Sequence, residues 1–87
     1  MEPKEAVAKA KAHFEAAFDE TPTLEEIWFE DSQDGGVWCI TLGIRRLQAT
    51  SPLGLQYKET TDYKVVRVRD KDGVLVSIRN RQGERAA

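Results

Sequence analysis

The chain has 87 residues, of which 32 % are charged and 40 % hydrophobic, and its formal net charge at pH 7 is −2. This length gives one small domain with no room for a second core, and the composition is typical of a folded chain rather than a disordered one. The near-neutral charge shows no overall excess of the basic residues that nucleic-acid binders usually carry.

Cysteine usage and the N-terminal segment bear on the cellular compartment. Cys39 is the only cysteine, so the chain cannot form an internal disulfide. Residues 1–14 are charged and amphipathic and lack the apolar centre of a secretory signal. No run approaches the roughly 20 apolar residues needed to span a bilayer. We therefore expect a cytoplasmic protein without membrane association, unless a leader has been removed.

The first element is predicted to be an amphipathic helix over residues 3–19. Pro3 suits its first turn, because that position needs no backbone N–H. Thr21-Pro22 ends the helix, because a residue before proline disfavours the α conformation. Apolar side chains recur at the three-and-four spacing of one helical face, at Val7, Ala10, Phe14, Ala17 and Phe18. We expect the two phenylalanines to supply most of the area that the helix buries.

The next two segments predict strands over about 26–31 and 37–47. Asp34-Gly35-Gly36 between them predicts a turn longer than two residues. The second strand alternates with period two, with Trp38, Ile40, Leu42 and Ile44 on one face and Val37, Cys39 and Thr41 on the other. We expect the tryptophan face to meet the helix, since burying four large apolar groups stabilises a fold by several kcal/mol, at about 25 cal/mol per Å².

Residues 45–62 form the least regular stretch. Ser51-Pro52-Leu53-Gly54 has turn chemistry, yet Leu55 and Tyr57 are apolar. Two interpretations remain, a mobile loop or a long hairpin arm that extends the second and third strands. The β-tolerant residues 56–61 favour a partly extended arm.

The stretch 63–79 predicts the closing hairpin, with strands over about 56–69 and 74–80. Its β-branched runs flank Asp70-Lys71-Asp72-Gly73, and an Asp-Gly pair in that setting is the strongest short-range hairpin signal. An isolated hairpin is marginal in water, so the remaining elements are expected to cover it. The sequence thus predicts one α+β domain, 1–87, with an N-terminal helix packed on a four-stranded antiparallel meander sheet. The far face of that sheet is left open.

The helix AVAKAKAHFEAAF, the strand pair EEIWFEDSQDGGVWCITL and the hairpin DYKVVRVRDKDGVLVSI follow one another. This order resembles PepSY-type domains and, more broadly, small cystatin-like α-β-β-β-β modules. The positions that match the PepSY pattern are Tyr63, Val65, Asp70, Gly73, Val74 and Leu75. The long stretch 45–62 departs from that family, as does the lack of a leader, since PepSY domains are usually exported. The resemblance implies a non-enzymatic module that inhibits or regulates another protein.

Residue types that carry chemistry are sparse. His13 is the only histidine, so a metal site with two histidines or a histidine-dependent triad has little support. Cys39 has apolar neighbours and lacks the electropositive setting of a nucleophile. The acidic cluster of Glu25, Glu26, Glu30, Asp31 and Asp34 lacks the alternating spacing of a calcium loop and is better explained as a charged rim. We expect neither enzymatic activity nor a bound metal or cofactor.

Partner contacts are expected on the open sheet face and in the 45–62 arm. Arginines interleaved with an aromatic residue can hold single-stranded nucleic acid or an acidic protein surface, although they also pair with carboxylates across strands. An exposed aromatic residue would mark a contact patch. The predicted contact residues are Trp28, Leu53, Leu55, Tyr57, Tyr63, Arg67, Arg69 and Arg79.

These features favour a protein-interaction module, a regulator or inhibitor of a larger protein. Self-association into a symmetric dimer is a second form of the same interpretation. The alternative is a nucleic-acid-binding module that uses the arginine-bearing sheet face, although no aromatic pair of the RNA-reading kind is present. Salt dependence separates these interpretations, because phosphate contacts make affinity fall steeply with salt.

Overall fold

The computed structural model describes residues 1–32, 35–54 and 56–81, apart from the side chains of Ser32 and Gln48. Its elements are α1 (Pro3–Phe18), β1 (Thr23–Ser32), β2 (Gly35–Ala49), β3 (Tyr57–Arg69) and β4 (Leu75–Asn80). The strands pair in chain order, β1-β2-β3-β4, as one antiparallel sheet. The predicted α+β fold, one N-terminal helix and a four-stranded meander, is confirmed.

The helix α1 ends where the backbone turns left-handed. Asp19 has φ 55° and ψ 39°, and its N–H donates to the carbonyl of Glu15 at 2.9 Å. A residue in this conformation ends many helices. Thr21-Pro22 follows at once and prevents the helix from continuing.

One face of α1 packs on the centre of the sheet. The buried side chains of this core are Ala6, Ala10 and Phe14 from the helix, Ile40, Leu42 and Ile44 from β2, and Val66 and Val68 from β3. Trp38 is partly buried against the same cluster. The prediction that the tryptophan face of the second strand meets the helix is therefore confirmed.

The prediction is wrong at the C-terminal end of the helical face. Phe14 is fully buried, but Phe18 is 41 % exposed and Ala17 is exposed as well. The Phe18 ring stacks on that of Phe14 with 4.7 Å between centroids, and the Lys64 ammonium lies 5.4 Å from its centroid. Because Phe18 is the last helical residue, no further turn of α1 shields its outer side.

The connection between β1 and β2 also differs from the prediction. Gly35 and Gly36 belong to β2, and Gly35 pairs with Ser32, so they do not form a long turn. A Cβ atom on Gly36 would lie 1.8 Å from Cζ of Phe29. That ring packs on Trp38 with 4.9 Å between centroids. Gly36 therefore leaves room for an aromatic pair on the helix side of the sheet.

The turn Asp70–Gly73 closes the last hairpin and is also tied to the helix. Gly73 has φ 74°, a conformation that glycine adopts without steric cost, and its N–H donates to the Arg69 carbonyl at 2.8 Å. The ring Nε2 of His13 lies 2.9 Å from the Gly73 carbonyl oxygen, so its N–H donates to the turn. The histidine of the helix therefore anchors α1 to the β3–β4 turn.

Beyond the other two strands, β2 and β3 continue as a two-stranded arm. They pair as far as Ala49 and Tyr57, whereas β1 reaches only Gly43 on β2 and β4 only Lys64 on β3. The tip is a turn, in which the N–H of Gly54 donates to the Ser51 carbonyl at 3.0 Å. Of the two interpretations of residues 45–62, the hairpin arm is correct.

We expect Phe14→Ala to lower the free energy of unfolding by about 3–5 kcal/mol, because it leaves a large cavity in the core. Phe18→Ala should cost only about 1 kcal/mol, since its ring is already 41 % exposed and mainly the ring–ring contact is lost. Urea denaturation followed by tryptophan fluorescence measures both values. Equal losses would contradict the different burial of the two rings.

Gly36→Ala should lower the free energy of unfolding by about 1–3 kcal/mol, because the added methyl group displaces the Phe29 ring. Gly43→Ala is the matched control in the same strand. Its Cβ would first meet the flexible side chain of Glu25, at 3.0 Å, which can move aside, so we expect a cost below about 1 kcal/mol. A Gly36 variant as stable as the Gly43 variant would show that the aromatic pair does not need the glycine.

Candidate interaction face

The sheet face turned away from α1 is organised in rows across the strands. The register places Trp28, Cys39, Arg67 and Ser77 in one row and Glu26, Thr41, Val65 and Arg79 in the next. Because side chains alternate along a strand, both rows lie opposite the helix-packed face. We call this surface the open face.

Charge on the open face is divided between its two sides. The register of β1 shifts between Leu24 and Glu26, so Glu25 is an extra residue, and its side chain lies beside Gly43. The open-face carboxylates of β1 are Glu25, Glu26 and Glu30, and the arginines at the other side are Arg67, Arg69, Arg79 and Arg81. The face is therefore acidic along β1 and basic along β3 and β4.

Two ion pairs reach across the sheet and connect these sides. Arg67 Nη2 contacts Oε1 of Glu30, whose Oε2 accepts a hydrogen bond from the Trp28 indole N–H at 3.2 Å. Arg81 Nη2 lies 3.6 Å from Oε1 of Glu26. All four charged side chains remain partly exposed, so each pair contributes little to stability.

A depression of about 340 Å³ opens on this face. Its lining residues are Trp28, Glu30, Cys39, Val65, Arg67, Arg79 and Asn80. Cys39 and Val65 are only 1 % and 7 % exposed and provide an apolar floor. Arg79 makes no ion pair with any residue in the described ranges. The depression thus combines an apolar floor, an indole wall and a guanidinium without an ion pair among the described residues.

The thiol in that floor is a poor nucleophile. Burial raises the pKa of Cys39 above its ordinary value, the Glu30 carboxylate raises it further, and nearby Arg67 only partly opposes this. Because the thiolate is the reactive form, a raised pKa lowers reactivity at neutral pH. The side chain serves as apolar packing.

The structure brings three of the predicted contact residues together. Trp28, Arg67 and Arg79 surround the depression. Tyr63 lies further along β3 on the same face, and the Arg81 guanidinium carbon is 5.7 Å from the centroid of its ring. Tyr63 is therefore partly covered by an arginine rather than fully open to a partner.

Arg69 is held by the β3–β4 turn instead of the depression. Its Nε and Nη2 donate to the two carboxylate oxygens of Asp72 at 3.0 and 2.7 Å. The carboxylate also accepts the Val74 N–H at 3.1 Å. Hydrogen bonding from Arg69 is the main cause that lowers the pKa of Asp72 to about 2.

The arm extends the open face with exposed apolar side chains. Leu47 and Tyr57 are 71 % and 65 % exposed, and the register places them on the same side as Tyr63. Leu53, at the tip, is 79 % exposed, and Leu55 lies outside the described residues. Leu47 is not among the predicted contact residues. Its odd residue number, like those of Tyr57 and Tyr63, would have placed it on the open face by strand alternation.

Metal sites and membrane-spanning helices can be assessed for the described residues. No three His, Cys, Asp or Glu side chains among those residues are grouped so that they could hold a metal ion, and Asp34 of the acidic cluster falls outside them. None of the described residues forms a helix with the length and apolar character needed to cross a bilayer.

Comparisons with known proteins add no family to this picture. A scan against protein-family models finds no match, and searches of curated proteins and of solved structures return none either. The resemblance to PepSY-type and cystatin-like domains stays a prediction. The class of the protein is therefore defined by its α+β meander fold, and the open face is its candidate functional surface.

Replacing Arg69 by Gln should raise the pKa of the Asp72 carboxyl from about 2 towards 3.8. A carboxyl group whose pKa is lowered by folding stabilises the folded state above its unfolded pKa, and this contribution is lost as the pH falls towards 2. Carboxyl carbon NMR chemical shifts between pH 1 and 6 measure the midpoint. The control is Arg45→Gln, which changes an arginine of the distant arm and should leave the Asp72 midpoint near 2.

Proposed function

We propose that this protein is a small non-enzymatic interaction module that regulates or inhibits a larger protein, binding it through the open face and the arm. One observation carries the proposal. The depression between Trp28 and Arg79 lies on the same sheet face as the exposed apolar side chains Leu47 and Tyr57 of the arm. A cytoplasmic location stays a prediction.

The residues around the depression are of the types that dominate binding energy in interfaces. Tryptophan, tyrosine and arginine are enriched among the few residues whose truncation costs most. An acidic group of the partner next to Arg79 would pair with a guanidinium that has no ion pair among the described residues. An apolar group beside it would cover Val65 and the indole of Trp28. Charge and apolar area thus support one binding site.

The arm supplies a second set of contacts to the same partner. Leu47, Leu53 and Tyr57 expose most of their surface to water, and clustered exposed apolar residues mark interaction sites in soluble proteins. Within the described residues, the arm also presents backbone groups without a neighbouring strand on both of its edges, since β1 ends its pairing at Gly43 and β4 at Lys64. Such edges accept an additional strand.

Nucleic-acid binding remains the alternative, and the ion pairs argue against it. Arg67, Arg69 and Arg81 each contact a carboxylate on this protein, so a phosphate group bound by any of them would lie next to that carboxylate and be repelled by it. The three glutamates of β1 also repel a polyanion. A binding site for phosphates usually concentrates base on one surface, whereas this face carries both signs.

Arg79→Glu and Trp28→Ala should each weaken binding of the larger partner by about tenfold or more, because both remove central contacts. The partner is recovered with tagged protein from a nuclease-treated lysate of the native host, identified by mass spectrometry, and titrated by biolayer interferometry. Lys4→Glu, on the exposed side of α1, matches the charge change of Arg79→Glu and should leave the affinity unchanged. Affinities of all three variants equal to that of the wild type would contradict the proposal. An affinity for added nucleic acid that falls steeply with salt concentration would support the alternative.

A further inference from the structure

We infer that a second copy of this chain occupies the open face, so that two sheets stack face to face around a two-fold axis parallel to the strands. The inference rests on the proposed function only in using the same face. The homodimer and the complex with a larger protein would then compete for it.

The orientation follows from the charge division. An axis parallel to the strands reverses the strand order in the facing sheet, so β1 of one copy lies over β4 of the other and β2 over β3. An axis across the strands would instead place β1 over β1 and bring the carboxylates of the two copies together. Only the first arrangement joins the acidic side to the basic side, and like charges placed together at an interface are strongly disfavoured.

The register then specifies which residues meet. Rotation about this axis keeps each row opposite itself, and Glu26 and Arg79 are the two ends of one row. Arg79 of each copy therefore faces Glu26 of the other, once on either side of the axis. The usual angle of about 30° between stacked sheets displaces the outer strands by a few ångströms, which an arginine side chain can span.

Both residues are available for this contact. Arg79 is exposed and has no ion pair with the described residues. Glu26 keeps 49 % of its side chain exposed although Arg81 lies 3.6 Å away, so its second oxygen can accept from another guanidinium. The dimer supplies the counter-charge that the described residues of the single chain do not give to Arg79.

The available area and the arms agree with this arrangement. With strands about 4.8 Å apart and a rise of about 3.3 Å per residue, the paired region of the four strands presents on the order of 450 Å² and the arm adds on the order of 200 Å². The sum of about 650 Å² lies at the lower end of the roughly 600–1,000 Å² per partner of a standard interface. Because the arm consists of the two central strands, Leu47 and Tyr57 of each copy lie close to the axis, where Leu47 faces Glu59 and Tyr57 faces Ala49 of the other copy.

The test is a charge exchange on the full chain, followed by size-exclusion chromatography with light scattering over a range of concentrations. The wild-type chain should be dimeric. Glu26→Arg and Arg79→Glu should each raise the dimer dissociation constant at least tenfold, because each places like charges opposite one another at two positions. An equimolar mixture of the two variants should recover dimers, since both contacts become attractive, and so should the double variant Glu26→Arg/Arg79→Glu. Lys4→Glu is the control and should remain dimeric.

Two results would overturn the inference: a wild-type chain that stays monomeric at every concentration, or single variants that dimerise as well as wild type. Circular dichroism shows whether each variant is folded, and recovery by mixing excludes misfolding as the cause of a loss. A monomeric chain that still captures a larger protein through Arg79 would leave the proposed function standing. A charge-dependent dimer that captures no other protein would contradict the proposed larger partner and would support the homodimer.

Discussion

The fold depends on the packing of Ala6, Ala10 and Phe14 against the buried side chains of β2 and β3. Two alanines let the helix approach the sheet closely, and the phenylalanine fills the space between them and the strands. A β-hairpin alone is marginal in water, so this contact is what makes the central strands stable. Since the chain provides one helix within its described part, one side of the sheet is covered and the other is presented to the surroundings.

That division also determines what kind of surface the protein offers. The buried core beneath the helix consists of apolar side chains, whereas the open face keeps its floor of Cys39, Thr41 and Val65 out of water beneath longer side chains. Charged pairs between Arg67 and Glu30 and between Arg81 and Glu26 cover this floor. These pairs are weakly held because they remain partly exposed. A partner can therefore rearrange them at small cost.

Most of the architecture could be predicted from alternation and spacing. The period-two pattern of Trp38–Ile44 and the helical spacing of Ala10 and Phe14 each follow from one element and its nearest neighbours. Phe18 could not be assigned correctly, because its exposure depends on where α1 ends relative to the sheet. The need for glycine at position 36 of β2 comes from the Phe29 ring on the neighbouring strand. A contact between two strands cannot be predicted from either segment alone.

The interaction face could be predicted in part, and for a related reason. The alternation of side chains along each strand places Trp28, Arg67 and Arg79 on one side of the sheet. Which residues of neighbouring strands stand opposite one another follows only from the register. Here the register contains two irregularities, at Leu24/Glu26 and at Arg67/Val68, and each shifts the following residues by one relative to the neighbouring strand. The row that joins Glu26 to Arg79 therefore becomes visible only in the assembled sheet.

The hydrogen bond between His13 and the Gly73 carbonyl has a consequence for how the chain folds. Its partners are 60 residues apart in sequence, whereas all three hairpins join neighbouring segments. Bringing distant segments together costs loop-closure entropy before any contact compensates for it, and such contacts slow folding. The sheet can consequently assemble by local steps, whereas docking of the first element onto the last turn has to close a loop of 60 residues.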